Sequence, residues 1–190
     1  MAGVISRGVQ GPIIREGDDI VDIVVKSVYA SEAEDNYSLK NRDIIAVTES
    51  VVARCQGNYA TCEQIAEDVR AKTGGKTVGV AFPILSRNRF AVCLRGIAKG
   101  AKKIVLMLSY PSDEVGNHLV SLDQLDEAGI DPWHDVLSLA QFRAAFGEVV
   151  HPFTGVDYVA YYMDLIRDCG AEAEVIFAND AKAILSYTKN

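Results

Sequence analysis

Apolar and polar positions along this chain switch repeatedly between a period of two and a period near four. Alternation in "GVISRGVQG" (3–11) predicts a short first strand, ended by Gly11-Pro12. "REGDDIVDIVVKSVYASEAE" (15–34) reads as a helix, with Ile20, Val24 and Val28 on one stripe and acids in its first turn. "DIIAVTE" (43–49) is the next expected strand. "TCEQIAEDVRAKTGG" (61–75) pairs Thr61 with Gln64 as a capping box and ends on two glycines, so it reads as a helix. A strand "TVGVAFP", a helix "SRNRFAVCLRGIAKGA" with Phe90, Leu94 and Ile97 inward, and the hydrophobic strand "KKIVLMLSYP" follow. That last strand is the best candidate for the centre of a sheet.

A long polar excursion comes next, from Ser109 to Gly147, with a short helix expected near "LDQLDEAG". It is the one place where composition suggests a boundary between lobes. "SLAQFRAAFG" reads as a short capped helix, "GVDYVAYYMDLIRDCG" as a longer one, and "AEVIFAND" as a final strand before a terminal helical turn. Strands and helices thus alternate without strict βαβ regularity. The expectation is a single α/β domain over 1–190, of α+β character, with helices packed on a mixed β-sheet.

With 190 residues, 49% apolar and 24% charged, the chain has the profile of a globular protein able to bury a real core. The formal net charge of −7 and the lack of a basic block argue against nucleic acid and anionic membrane as partners. The longest apolar run, "IVLMLSY", is far too short to span a bilayer, and the N-terminus lacks a signal-peptide core. A cytoplasmic location is expected. Cys55, Cys62, Cys93 and Cys169 include no C-x-x-C pair and read as reduced, structural thiols, with Cys62 and Cys93 as small core residues.

Four stretches carry candidate chemistry. After "DIIAV" the polar run Thr48, Glu49, Ser50 and then Arg54 stands where an α/β protein contacts ligands, and Arg54 offers a fork to a phosphate. The plainer alternative is a strand-to-helix turn with Ser50 as N-cap. "GPIIREGDD" (11–19) sets a Gly-Pro turn and Arg15 ahead of a helix start, and "SRNR" (86–89) sets two arginines before another. Asp113, Glu114, Asn117 and His118, with His151 and Asp157, suggest ligands for Mg²⁺ or Mn²⁺. Neither G-x-G-x-x-G nor G-x-x-x-x-G-K-[ST] is present, and no G-x-S-x-G or H-E-x-x-H appears.

Two of these stretches together resemble the coenzyme F-420 γ-glutamyl ligase family. The carriers are Gly11, Pro12, Ile14, Gly17, Asp18 and Asp19 in the first block, and Asp43, Val47, Thr48, Val52 and Gly57 in the second. The resemblance covers about the first third of the chain and implies a fold similar to the γ-glutamyl ligase fold, in an intertwined homodimer. It also implies a ligase that uses GTP and a divalent metal, Mg²⁺ or Mn²⁺, to join glutamate to a coenzyme-like small-molecule acceptor through an amide. By position, the nucleotide contacts would fall on Pro12, Ile13, Ile14, Arg15, Glu49, Ser50 and Arg54. The family's S-K-A-E-G is replaced here by Ala53, Arg54, Cys55, Gln56 and Gly57, and Glu49 stands where a small polar residue is usual. Because the chain is shorter than such enzymes usually are, it is read as a divergent member or an N-terminal part of a longer protein. The alternatives are a non-catalytic nucleotide- or anion-binding module, and a metal-dependent hydrolase built on the Asp113–His118 loop with His151 and Asp157.

Overall fold

A computed structural model describes residues 3–188. The chain divides into two compact units, Met1–Ala60 and Thr61–Asn190, so the boundary falls well before the Ser109–Gly147 excursion.

The second unit carries the sheet. Helix α3 (Cys62–Thr73) starts at the expected capping box, with Thr61 and Gln64 each satisfying the other's backbone N–H, and stops at Gly74 in the left-handed region. Then come β1 (Thr77–Ala81), α4 (Phe90–Lys99), β2 (Lys103–Leu108), α5 (Leu122–Ala128), β3 (Leu137–Ser138), α6 (Leu139–Phe146), α7 (Tyr158–Asp168) and β4 (Glu172–Phe177). A 3-10 helix (Ala181–Ser186) closes the series. The strand order is β1-β2-β4-β3, with β1, β2 and β4 parallel and β3 antiparallel to β4. The sheet is therefore mixed, with helices packed on it, as expected.

β2 lies between β1 and β4, and Ile104 to Leu108 are all buried, as a near-continuous apolar run in a parallel sheet should be. The larger core gathers α4, α6 and α7 side chains around Leu106, Leu108 and Phe177, and Phe142 stacks on Phe177 with centroids 3.8 Å apart. The smaller core, on Val105, Met107 and Ile176, is covered by Ile184 of the 3-10 helix. Gly96 lets α3 approach α4: a Cβ there would lie 2.9 Å from Ile65. Tyr162 is fully buried, and its hydroxyl bridges the backbone at Ile84 and Ser86. Burial raises its pKa.

The first unit departs from expectation. Its one long element is α1 (Ile20–Glu34), capped by Asp19, which accepts from the N–H groups of Val21 and Asp22. The helix thus begins five residues later than the sequence reading placed it. A short α2 (Glu49–Cys55) follows. Neither expected strand, 3–11 nor 43–49, forms a ladder: both segments lie outside any strand and are exposed. The physical reason is that alternation selects residues suited to a strand, but a strand exists only where a neighbour pairs its N–H and C=O groups. Ile44 is 91% exposed.

Among the described residues all four cysteines are free, as expected. Cys55 is buried, and Cys62 points its thiol at the Val92 carbonyl. Cys93, expected in the core, is exposed on the outer side of α4.

Candidate functional site

The two stretches singled out in the first unit, 11–19 and 43–57, are separated by a helix and a loop, yet the fold ties them together. The Gly17 N–H donates to the Cys55 carbonyl at 2.9 Å. The Glu16 side chain lies over Gly57, so close that a Cβ on Gly57 would sit 2.6 Å from Oε1. Both glycines have positive φ, 83° at Gly17 and 65° at Gly57, which non-glycine residues adopt at a cost. This tie was not anticipated, although the two glycines were the signal for it.

Around the tie the first block is a turn rather than part of the helix. The Asp18 carboxylate accepts from the Arg15 N–H at 2.6 Å, and Asp19 caps α1. Pro12, Ile13 and Arg15 are exposed and Ile14 is half-buried. In the second block Thr48, not Ser50, is the N-cap residue, and the two hydroxyls lie 3.2 Å apart. Glu49 and Ser50 open α2, and Arg54 is in its last turn. Among the described residues the side chains of Arg15, Glu49 and Arg54 make no hydrogen bond or ion pair. A free guanidinium thus stands shortly before each end of the tie in sequence: Arg15 is two residues before Gly17, and Arg54 directly precedes Cys55.

The other candidates are engaged in holding the second unit together. Asp113 is buried, and its carboxylate accepts from the N–H groups of Leu85, Val115 and Asn117 and from the Asn117 amide at 2.7–3.1 Å. Four donors saturate it and pin the loop after β2 to the loop after β1. Asp157 caps α7 and pairs with Arg143. The His151 Nδ1 accepts from the backbone N–H groups of Phe153 and Thr154. Among the described residues no three His, Cys, Asp or Glu side chains gather as a metal group. The residues named for the hydrolase reading are thus not gathered into such a group among the described residues. Arg87 and Arg89 of the "SRNR" turn are exposed, while Ser86 Oγ accepts from the Arg89 N–H.

Comparison with known families meets this geometry at the same stretches. The model of the F420-0:Gamma-glutamyl ligase family matches residues 8–157. The chain belongs to that family. The family match runs about a hundred residues past the first third of the chain, to which the two motif blocks had confined the resemblance. It spans both tied stretches of the first unit, and in the second unit it runs through α3 to α6 as far as the cap of α7. No curated protein and no solved structure matches the chain. Membership of the ligase family carries with it a ligase-like, coenzyme-biosynthetic character. No helix among the described residues is long and apolar enough to cross a membrane.

Proposed function

We propose that the chain is a divergent GTP- and metal-dependent ligase that forms a γ-glutamyl-type amide on a coenzyme-like acceptor. The observation that carries the reading is the tie between Gly17 and Cys55, each closely preceded in sequence by an arginine that has no partner among the described residues. Guanidiniums left without carboxylate partners suit a polyphosphate, which takes bidentate hydrogen bonds. In this reading Pro12, Ile13, Ile14 and Arg15 approach the nucleotide from one block, and Glu49, Ser50 and Arg54 from the other.

The chemistry asks two things of these residues. A carboxylate becomes reactive toward an amine once a phosphoryl group is transferred to it, and phosphate leaves as the amide forms. Arginines at the phosphates oppose the negative charge that spreads over the transferring group. A divalent ion, Mg²⁺ or Mn²⁺, supplies further charge neutralisation when bound. Glu49 is the free carboxylate beside the hydroxyl of Ser50, so its donor type fits such an ion. A carboxylate at this place without a cation would repel phosphate.

The homodimer belongs to the same proposal. Ile13, Ile44, Ile45 and Val47 are exposed within one unit, and a second copy would cover them and give the 43–49 segment a pairing partner. A cytoplasmic setting with small-molecule and nucleotide partners completes the reading.

The test is GDP release from GTP with Mn²⁺, with and without L-glutamate and a carboxylate-bearing acceptor. Release that needs both the amine and the acceptor, and is lost in Arg54→Ala, is the expected result. Metal-dependent GTP binding with no turnover under any acceptor would favour the non-catalytic module. The replacement of the family's S-K-A-E-G by Ala53 to Gly57 is the feature that favours that second reading.

A further inference from the structure

One cavity lies in the second unit, away from every residue discussed so far as a nucleotide contact. It has a volume of about 460 Å³, with Leu125, Ile130 and Pro132 as apolar lining, Asp126 and Asp131 as carboxylates, and Trp133. That volume falls in the usual range for ligand clefts, about 300–1,000 Å³.

Trp133 is the sole tryptophan of the chain and is 77% exposed, in a unit that fully buries Phe142, Phe177 and Tyr110. The backbone turn that carries it is held by hydrogen bonds on both sides. Within the turn, the Trp133 N–H donates to Asp131 Oδ1 at 2.9 Å and the Asp131 N–H donates to Asp135 Oδ2 at 2.8 Å. Two core side chains anchor that turn from below: the Tyr110 hydroxyl donates to the Asp135 carbonyl at 2.7 Å, and the Asn179 amide donates to the Pro132 carbonyl at 2.9 Å. Burial, with Asp135 and Asp131 nearby, raises the Tyr110 hydroxyl to about 12, so it remains a donor at any physiological pH. The fold therefore holds an indole in water on a rigid turn, which lowers the ordering cost of whatever covers it.

One carboxylate of the cleft, Asp126, favours a cationic occupant. The Asp126 carboxylate has no hydrogen bond or ion pair among the described residues. Asp131 is held below the usual carboxylate range, first by its hydrogen bond from His134, so its charge is shared with that imidazole and Asp126 is left as the free carboxylate. An aromatic face beside a free carboxylate attracts an organic cation. Guanidinium suits the pair better than ammonium, because it is planar, weakly hydrated, stacks on indole and forks onto a carboxylate. Leu122, exposed alongside Trp133, extends the apolar surface at the same cleft. A polypeptide flanking the cation would cover that surface, and a free cation would leave it in water.

We propose that this cleft docks an arginine side chain of a protein partner, its methylene stem along Ile130 and Pro132 and its guanidinium at Asp126 and Trp133. The site is independent of the nucleotide reading and survives its failure.

The single tryptophan makes the test direct, because indole emission reports on the cleft alone. The full chain is titrated with three blocked peptides of sequence Leu-X-Leu, where X is arginine, lysine or citrulline, and with arginine amide. The expected result is a saturable change with the arginine peptide that weakens about two- to fivefold when Asp126→Asn removes one exposed charge contact. Citrulline, neutral and of the same shape, should bind more weakly than arginine by at least the same factor. Equal responses to arginine and citrulline would reduce the cleft to an apolar patch and overturn the proposal. Lysine binding as tightly as arginine would overturn the guanidinium preference, and arginine amide matching the peptide would overturn the protein partner. No saturable response from any peptide would overturn the whole.

Discussion

The two units of this chain spend their apolar residues in opposite ways. In the second unit nearly every apolar position of β2 and β4 is buried, and aromatic rings stack inside the sheet–helix layer. In the first, only Val28 and Cys55 among the described apolar residues are buried, while Ile13, Ile44 and Tyr29 face water. The second unit has a core of its own. The first has two tied loops, one long helix and an apolar surface that asks for a cover. The stability of the single chain therefore resides in the second unit, and the residues proposed to hold the nucleotide reside in the first.

The strongest way to break this contrast is a pair of truncations. Phe177→Ala removes a fully buried ring that stacks on Phe142, and should cost about 3–5 kcal/mol in urea unfolding. Ile44→Ser, at an exposed site, should change a monomer by no more than about 0.5 kcal/mol. The homodimer proposal sharpens the second figure: the cost of Ile44→Ser should then grow with protein concentration. A large cost that does not vary with concentration would mean that the first unit has a core after all.

Next in size comes Asp113→Ala, which strips the acceptor from four N–H donors in a buried loop junction and should cost about 2–4 kcal/mol. Retained stability there would mean that water replaces the carboxylate. Gly96→Val forces a side chain against Ile65 and should cost about 1–3 kcal/mol, with α3 displaced from α4. In the first unit Gly57→Ala meets both a positive φ and the Glu16 carboxylate, so it should cost about 1 kcal/mol and loosen the tie. If the tie forms the nucleotide site, the same change should weaken GTP binding more than it lowers the unfolding midpoint.

The smallest effect is a pH dependence. Asp131 raises the His134 pKa above its ordinary 6.5, chiefly through their hydrogen bond. A raised folded-state pKa gives stability that is complete below 6.5 and is lost as pH rises through the folded value. Asp131 is lowered from 3.8, so its part is present above 3.8 and lost as pH falls through the folded value. The pair should therefore add slightly to stability between about pH 4 and 6.5 and lose that addition as pH rises through the raised His134 value. His134→Gln should flatten the difference, read as midpoint against pH.

How far the sequence carries is decided by how local each signal is. Capping boxes at Thr61, Ser121 and Ser138 are settled within four residues, and the helices they begin stand where the sequence placed them. β2 is legible because it is apolar on both faces. The two-residue β3 is invisible, since its pairing with Phe177 and Ile176 is wholly non-local. The segments 3–11 and 43–49 have strand-like composition but no pairing partner among the described residues. The two blocks of the candidate site were legible as polar turns after Gly11-Pro12 and after "DIIAV", and the family resemblance joined them, but the tie between them was not read and the arginines there carry no spacing that spells phosphate. The cleft at Trp133 was not legible at all, because Tyr110 and Asn179 reach it from the ends of two other strands.

Nucleotide binding by the first unit is the central claim, and the melting temperature of the purified protein with GTP, GDP or ATP, each with and without Mn²⁺, tests it most directly. A ligand at a hundredfold excess over its dissociation constant adds about 2.7 kcal/mol to stability when it binds only the folded state. The account predicts a guanine-selective, metal-dependent rise that Arg54→Ala removes while leaving the unliganded melting temperature unchanged. No rise with any nucleotide at millimolar concentration, or a rise that survives Arg54→Ala, would contradict it.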